Sequence, residues 1–145
     1  MKVVIVSGYF NPLHGGHLDM IEAAKKLGDR LIVVVNNDRQ QVLKKGKVIL
    51  TEASRARLLR ALRAVDDAVI ALDDDTTVVK TLEFIATQYP DDELVFANGG
   101  DRNSTAEIPE TEVAQKYDIE LVFGVGGDNK SDSSTRINQA TGDEQ

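Results

Sequence analysis

The sequence predicts a doubly wound α/β domain, a five-stranded parallel sheet with helices on both faces. Short runs of branched apolar residues alternate along the chain with longer segments of helical period, the pattern of successive β-α-β units. Glycine-rich turns follow the first and the fourth apolar run. The length, 145 residues, suits one domain with a full core.

The elements follow in order. The β-branched run at 3–7 reads as a buried strand, and Leu18, Ile21, Ala24 and Leu27 repeat at helical spacing over 16–27, with Gly28 placed to end that helix. A second strand spans 31–36. The polar stretch after it has no apolar period and reads as a loop that carries Lys44, Lys45 and Lys47. Thr51 is a candidate N-cap for a helix over 52–64, whose inner face is Ala56, Leu59, Leu62 and Ala64. Strands at 67–71, 93–97 and 119–124 alternate with helices near 76–88, 109–117 and 133–140, and 138–145 forms a polar tail. Right-handed crossovers leave few topologies. With the fourth strand returning beside the first, the order is 3-2-1-4-5, a Rossmann-like arrangement. Ligands then bind at the carboxyl ends of strands 1 and 4, where the winding reverses.

Composition excludes several classes. No run approaches the roughly 18–20 apolar residues of a membrane span, no signal peptide is visible, and there is no cysteine. A cytoplasmic protein is expected. The net charge of −7 argues against nucleic-acid binding. Its distribution is uneven, since 39–63 holds eight Lys and Arg against Glu52 alone. A basic patch on an acidic chain fits a small polyanion. Arg57 and Arg60 read as a solvated helix face. Asp73, Asp74 and Asp75 read as an acidic solvated loop, because adjacent carboxylates do not converge on one ion, and no protein metal site is expected.

Residues 8–17, GYFNPLHGGH, join the first strand to the first helix. Pro12 stops the strand ladder, and Gly15 and Gly16 let backbone approach a ligand. The helix that they open aims N–H groups and a positive dipole end at an anion. His14 and His17 sit on that turn, each able to donate to a phosphoryl oxygen. A triphosphate site is the economical reading.

HGGH resembles the His-x-Gly-His signature of the nucleotidyltransferase superfamily that includes cytidylyltransferases and the pantetheine-phosphate, nicotinate-nucleotide and heptose-phosphate adenylyltransferases. Asn98-Gly-Gly-Asp101 resembles the segment after the fourth strand in heptose-phosphate and glycerol-phosphate enzymes. Ser133-Ser134-Thr135-Arg136-Ile137 resembles the closing Ser-(Ser/Thr)-Thr-x-Ile motif, though Asp132 and Asn138 depart from common flanking residues. Residues 26–66 are similar to the heptose-1-phosphate nucleotidyltransferase domain and to cytidylyltransferases for ethanolamine phosphate and glycerol 3-phosphate.

The resemblance implies transfer of CMP or AMP from CTP or ATP to a sugar- or alcohol-phosphate, with release of pyrophosphate. CTP is placed ahead of ATP. It implies that His14 and His17 bind the triphosphate, that Lys44 or Lys47 neutralises charge at the α-phosphate, and that Arg55 contacts phosphate. Gly8, Tyr9, Phe10, Asn11 and Gly16 would surround the nucleotide, Gly99 and Asp101 would line the nucleoside pocket, and Ser133, Ser134 and Thr135 would hold the leaving phosphates. Asn11 stands where cytidylyltransferases place Asp, so magnesium is expected to be held mainly by the triphosphate. Segments 72–80 and 101–112, with Thr76, Thr77, Arg102, Asn103 and Ser104, are expected to shape a pocket for a small hydroxylated acceptor. A homodimer is expected. The alternatives are an adenylyltransferase of the nicotinate-nucleotide type and a nucleotide-binding regulator without turnover.

Overall fold

The structure, a computed structural model, describes residues 1–97 and 109–125. In chain order it contains β1 (Lys2–Gly8), α1 (Gly15–Lys25), β2 (Arg30–Val35), α2 (Asp38–Lys45), α3 (Glu52–Arg60), β3 (Asp67–Ile70), α4 (Val79–Gln88), β4 (Glu93–Ala97), α5 (Thr111–Lys116) and β5 (Ile119–Val122). The five strands form one sheet in the order β3-β2-β1-β4-β5, and every neighbouring pair is parallel. Fold class and strand order are as the sequence predicts.

Strand periodicity sorts the core into two layers. On one face Val4, Val6, Leu31 and Val33 pack with Ile21 and Ala24 of α1 and with Ala56 and Leu59 of α3. On the other, Val3, Ile5, Ile32 and Val34 pack with Leu82 and Ile85 of α4 and with Val113 and Ala114 of α5. Both faces of β1 and β2 are therefore buried, which is why these strands read as unbroken apolar runs.

Several expected boundaries are corrected. The first helix stops at Lys25 with Lys26 as its cap, so Gly28 lies beyond it. Glycine is needed there because a Cβ would stand 2.8 Å from the Lys2 carbonyl oxygen. The helix at Thr51 ends at Arg60, although Leu62 and Ala64 still pack on the core from the turn that follows. The next helix begins at Val79, not 76, and its first-turn amides are met from outside: Asp73 accepts from Lys80 N at 2.8 Å and Thr81 N at 3.1 Å. Asp73 is thus a buried capping group. Of the acidic triplet only Asp74 and Asp75 are solvated, the former paired with Arg39.

The largest departure is α2. Residues 38–45 are helical, so Lys44 and Lys45 occupy a helix's last turn, while Lys47 follows the left-handed Gly46 (φ 83°) that closes it. No apolar stripe marks this helix because its buried face is Gln40 and Gln41, while Val42 and Leu43 face solvent. The expected helix at 133–140 and the polar tail lie outside the described residues.

Candidate functional site

The β1–α1 connection sits over the carboxyl end of the central strand. Its shape begins with Phe10, which takes a left-handed backbone (φ 51°) and turns its ring into the core. A Cβ on Gly8 would come within 2.7 Å of that ring, so glycine at this position serves the packing of Phe10. Phe10 is 1% exposed, so its side chain is not offered to a nucleotide. It supports the site from below, its ring edge-on to His17 with centroids 4.9 Å apart.

His14 and His17 cap α1 reciprocally. Gly16 N donates to His14 Nδ1 at 3.1 Å, and His14 N donates to His17 Nδ1 at 3.2 Å. The rings stack at 3.7 Å between centroids. An imidazole nitrogen that accepts from an amide carries no proton, so this bonding assigns the proton of each neutral ring to Nε2. Burial, followed by the charge of His14, pushes the His17 pKa down to about 3. His17 is therefore a neutral Nε2–H donor at physiological pH. The Gly16 amide, expected to face an anion, is occupied by the His14 ring.

Three buried polar groups hold the surrounding segments. Asn11 Oδ1 accepts from Ile49 N at 2.9 Å and Leu50 N at 2.8 Å, which ties the segment after α2 to the turn. An oxygen engaged twice in this way is not offered to a cation. Arg55 is 1% exposed. It donates to the carbonyls of Leu50, Tyr9 and Asn36 and to Asp38 Oδ1, at 2.6–2.9 Å. Four of its five N–H groups are thereby spent inside the protein, which corrects its expected role as a phosphate contact. Gln40, fully buried, donates through Nε2 to the carbonyls of Asp75 and Thr77, and so fastens α2 to the segment before α4.

Lys44 is carried over the mouth of the site by α2, its ammonium 4.6 Å from the centre of the Tyr9 ring. Burial and the neighbouring Lys45 lower its pKa. Lys47 is exposed beyond the helix end. Desolvation raises the Tyr9 phenol, and Arg55 opposes the shift. Between Tyr9, Asn36 and Lys44 on one side and Thr76–Val78 and Glu110 on the other lies a cavity of about 300 Å³.

The structure therefore stacks His14 on His17 in the β1–α1 turn and sets Lys44 over Tyr9 at the carboxyl end of β1. Gly99, Asp101, Arg102, Asn103, Ser104, Ser133, Ser134 and Thr135 lie outside the described residues. Sequence reading missed Asn36, Gln40 and Glu110. Gln40 was detectable, since Asn37 and Gln40 form a capping box that opens the helix closed by Gly46. Nothing local marks Glu110. Among the described residues no helix is long and apolar enough to cross a membrane, and no group of three or more His, Cys, Asp or Glu is placed to hold a metal.

A parallel sheet wound in this order, with a paired-histidine turn at the reversal point, defines a nucleotide-handling α/β protein. The chain belongs to the cytidylyltransferase-like family, whose pattern matches residues 5–140. It is 41% identical over 102 residues to the bifunctional protein HldE of Koribacter versatilis, a match that covers 69% of this chain and 19% of that protein. It is likewise 41% identical over 101 residues to the FAD synthase of Pyrococcus abyssi, covering 69% and 64%. The lipopolysaccharide core biosynthesis protein from Thermoplasma volcanium shares the fold with a TM-score of 0.65 and 29% identity, over 85% of this chain and 95% of that one. The chain thus spans about a fifth of the length of the HldE protein that it matches.

Proposed function

We propose that the protein transfers AMP from ATP to a small phosphorylated acceptor of the sugar- or alcohol-phosphate class and releases pyrophosphate. The observation that carries this reading is the reciprocal histidine cap, which leaves a neutral Nε2–H on His17, at the reversal point of a family fold. The sequence placed CTP ahead of ATP. The relatives do not support that ordering: FAD, the product named for the Pyrococcus relative, contains an AMP unit joined to a flavin phosphate, which favours ATP here.

In this reading an acceptor phosphate oxygen attacks the α-phosphorus in line. The new phosphoanhydride bond forms as the bond to the β-phosphoryl oxygen breaks, and the electron pair leaves with pyrophosphate. A phosphate dianion needs no general base. Catalysis consists of positioning and of stabilising spread negative charge. His17 donates from Nε2 to a phosphoryl oxygen without first losing or gaining a proton, and His14 acts beside it. Lys44 brings positive charge to the α-phosphate, with Lys47 as the second candidate. Asn11, Phe10 and Arg55 hold the turn and α2 in register. Gly99, Asp101, Ser133, Ser134 and Thr135 keep the nucleoside- and phosphate-binding roles that the resemblance implies. Magnesium, held by the triphosphate oxygens, would neutralise charge on the leaving group.

Pyrophosphate release tests this, with ATP, CTP, GTP and UTP each offered beside a panel of phosphorylated acceptors. ATP is expected to be the best donor. A protein that releases pyrophosphate from none of the four, and that none of them stabilises thermally, overturns the reading.

A further inference from the structure

We propose that Glu110 is a specificity-determining residue that accepts a hydrogen bond from a hydroxyl of the acceptor's body, held in the cavity beside Tyr9 and Lys44. The proposal rests on the reading of the protein as a nucleotidyltransferase and adds to it a residue that recognises the non-reacting part of the acceptor.

Glu110 is 8% exposed, and one carboxylate oxygen accepts from Val78 N at 3.1 Å. Its second oxygen takes no bond from the described residues, yet the side chain lines the cavity. That oxygen opens to the cavity, where it is placed to accept from a donor on a bound molecule. The cavity also holds a buried unmet group, since Tyr9 Oη is buried without a partner.

The two groups differ in kind. The carboxylate oxygen can only accept, whereas the phenol both donates and accepts. A hydroxyl-bearing ligand meets both, because each of its hydroxyls gives one hydrogen bond and receives others. An aliphatic ligand leaves both unmet. An ammonium group suits the carboxylate alone and would enter a cavity that already holds the Lys44 ammonium above Tyr9. The cavity, about 300 Å³, is at the lower end of the range for small-molecule sites. Its opposite wall is pinned by Gln40 through the Asp75 and Thr77 carbonyls, so the two groups face a braced frame.

The test is calorimetric binding of D-mannose 1-phosphate, glycerol 3-phosphate and ethyl phosphate to the wild-type chain and to Glu110→Gln. Glutamine keeps an oxygen for the Val78 amide, so thermal melting is expected to be unchanged. Wild type is expected to prefer a hydroxylated phosphate over ethyl phosphate. Glu110→Gln is expected to weaken that ligand by about 10- to 100-fold, the range for a hydrogen bond to a charged group, while ethyl phosphate and ATP bind as before. Equal weakening of all three phosphates, no hydroxyl preference in wild type, or no binding by any of them overturns the proposal. If Glu110→Gln melts lower, the comparison is made well below its melting temperature, and the ratio of hydroxylated phosphate to ethyl phosphate affinity in each protein decides. A failure of the nucleotidyltransferase reading shows separately, as absence of ATP binding and of pyrophosphate release.

Discussion

The turn at 8–17 and the scaffold at 36–55 meet at the same site, but they are built by opposite means. In the turn, the histidine cap closes over three residues and uses backbone amides that any helix start leaves open. In the scaffold, Arg55 reaches 46 residues back to Tyr9 and 19 back to Asn36, and Asn11 reaches 38 and 39 forward. The difference teaches that chemistry and its support obey different rules here. The candidate chemical groups are fixed by near neighbours, while the frame depends on polar bonds between distant segments.

The sharpest way to break the contrast is Arg55→Met. Removing the guanidinium leaves three carbonyls, that of Asn36 buried, and Asp38 without their donor. The expected loss is about 3–5 kcal/mol in urea unfolding, well beyond that of any substitution in the histidine turn. An Arg55→Met protein as stable as wild type would refute the scaffold role and return Arg55 to the phosphates.

His17→Ala is expected to show the reverse profile, with a rate lowered about 10²- to 10³-fold, or about 3–4 kcal/mol in the barrier, and with the fold retained. Single-turnover kinetics under saturating ATP check it; a loss confined to KM would mean that His17 binds ground state and transition state equally.

Asn11→Ala sharpens the comparison from the scaffold side. Two amides lose their acceptor, at an expected cost of about 1–3 kcal/mol. Hydrogen exchange at Ile49 and Leu50 should accelerate while that of β1 does not.

The last comparison is a pH dependence, spread over several units. Unfolded His17 takes up a proton below about 6.5, and the folded ring resists until about 3. The unfolded state therefore binds more protons between those values, and stability rises with pH across that window by at most about 1.4 kcal/mol per unit. Urea titrations at pH 4 to 7 should lose this contribution in His17→Gln. An imidazole resonance of His17 that titrates near 6.5 would contradict the buried, neutral assignment.

Much of the fold was legible along the chain. The unbroken apolar strands, the helical spacing of Ile21 and Ala24, and the histidine turn depend on neighbours a few residues away, and each signals its element directly. What escaped was written in polar residues. α2 hides because glutamines, not aliphatics, form its inner face. Asp73 looked like one of three solvated acids until α4 supplied Lys80 N and Thr81 N to its carboxylate. Arg55 looked like surface charge or a phosphate ligand, and Glu110 looked like nothing in particular.

Hydrophobic periodicity is a local code, since burial of an apolar side chain needs only a face and not a particular partner. The strand order, the two-layered core and the place of the site at the end of β1 follow from that code and from chain chirality. The destination of a buried charge is a different matter. A guanidinium or carboxylate enters the interior only where specific carbonyls and amides await it, and those come from segments tens of residues away. Folding alone brought Tyr9, Asn36, Leu50 and Asp38 around Arg55, and set Glu110 opposite Tyr9 across a cavity.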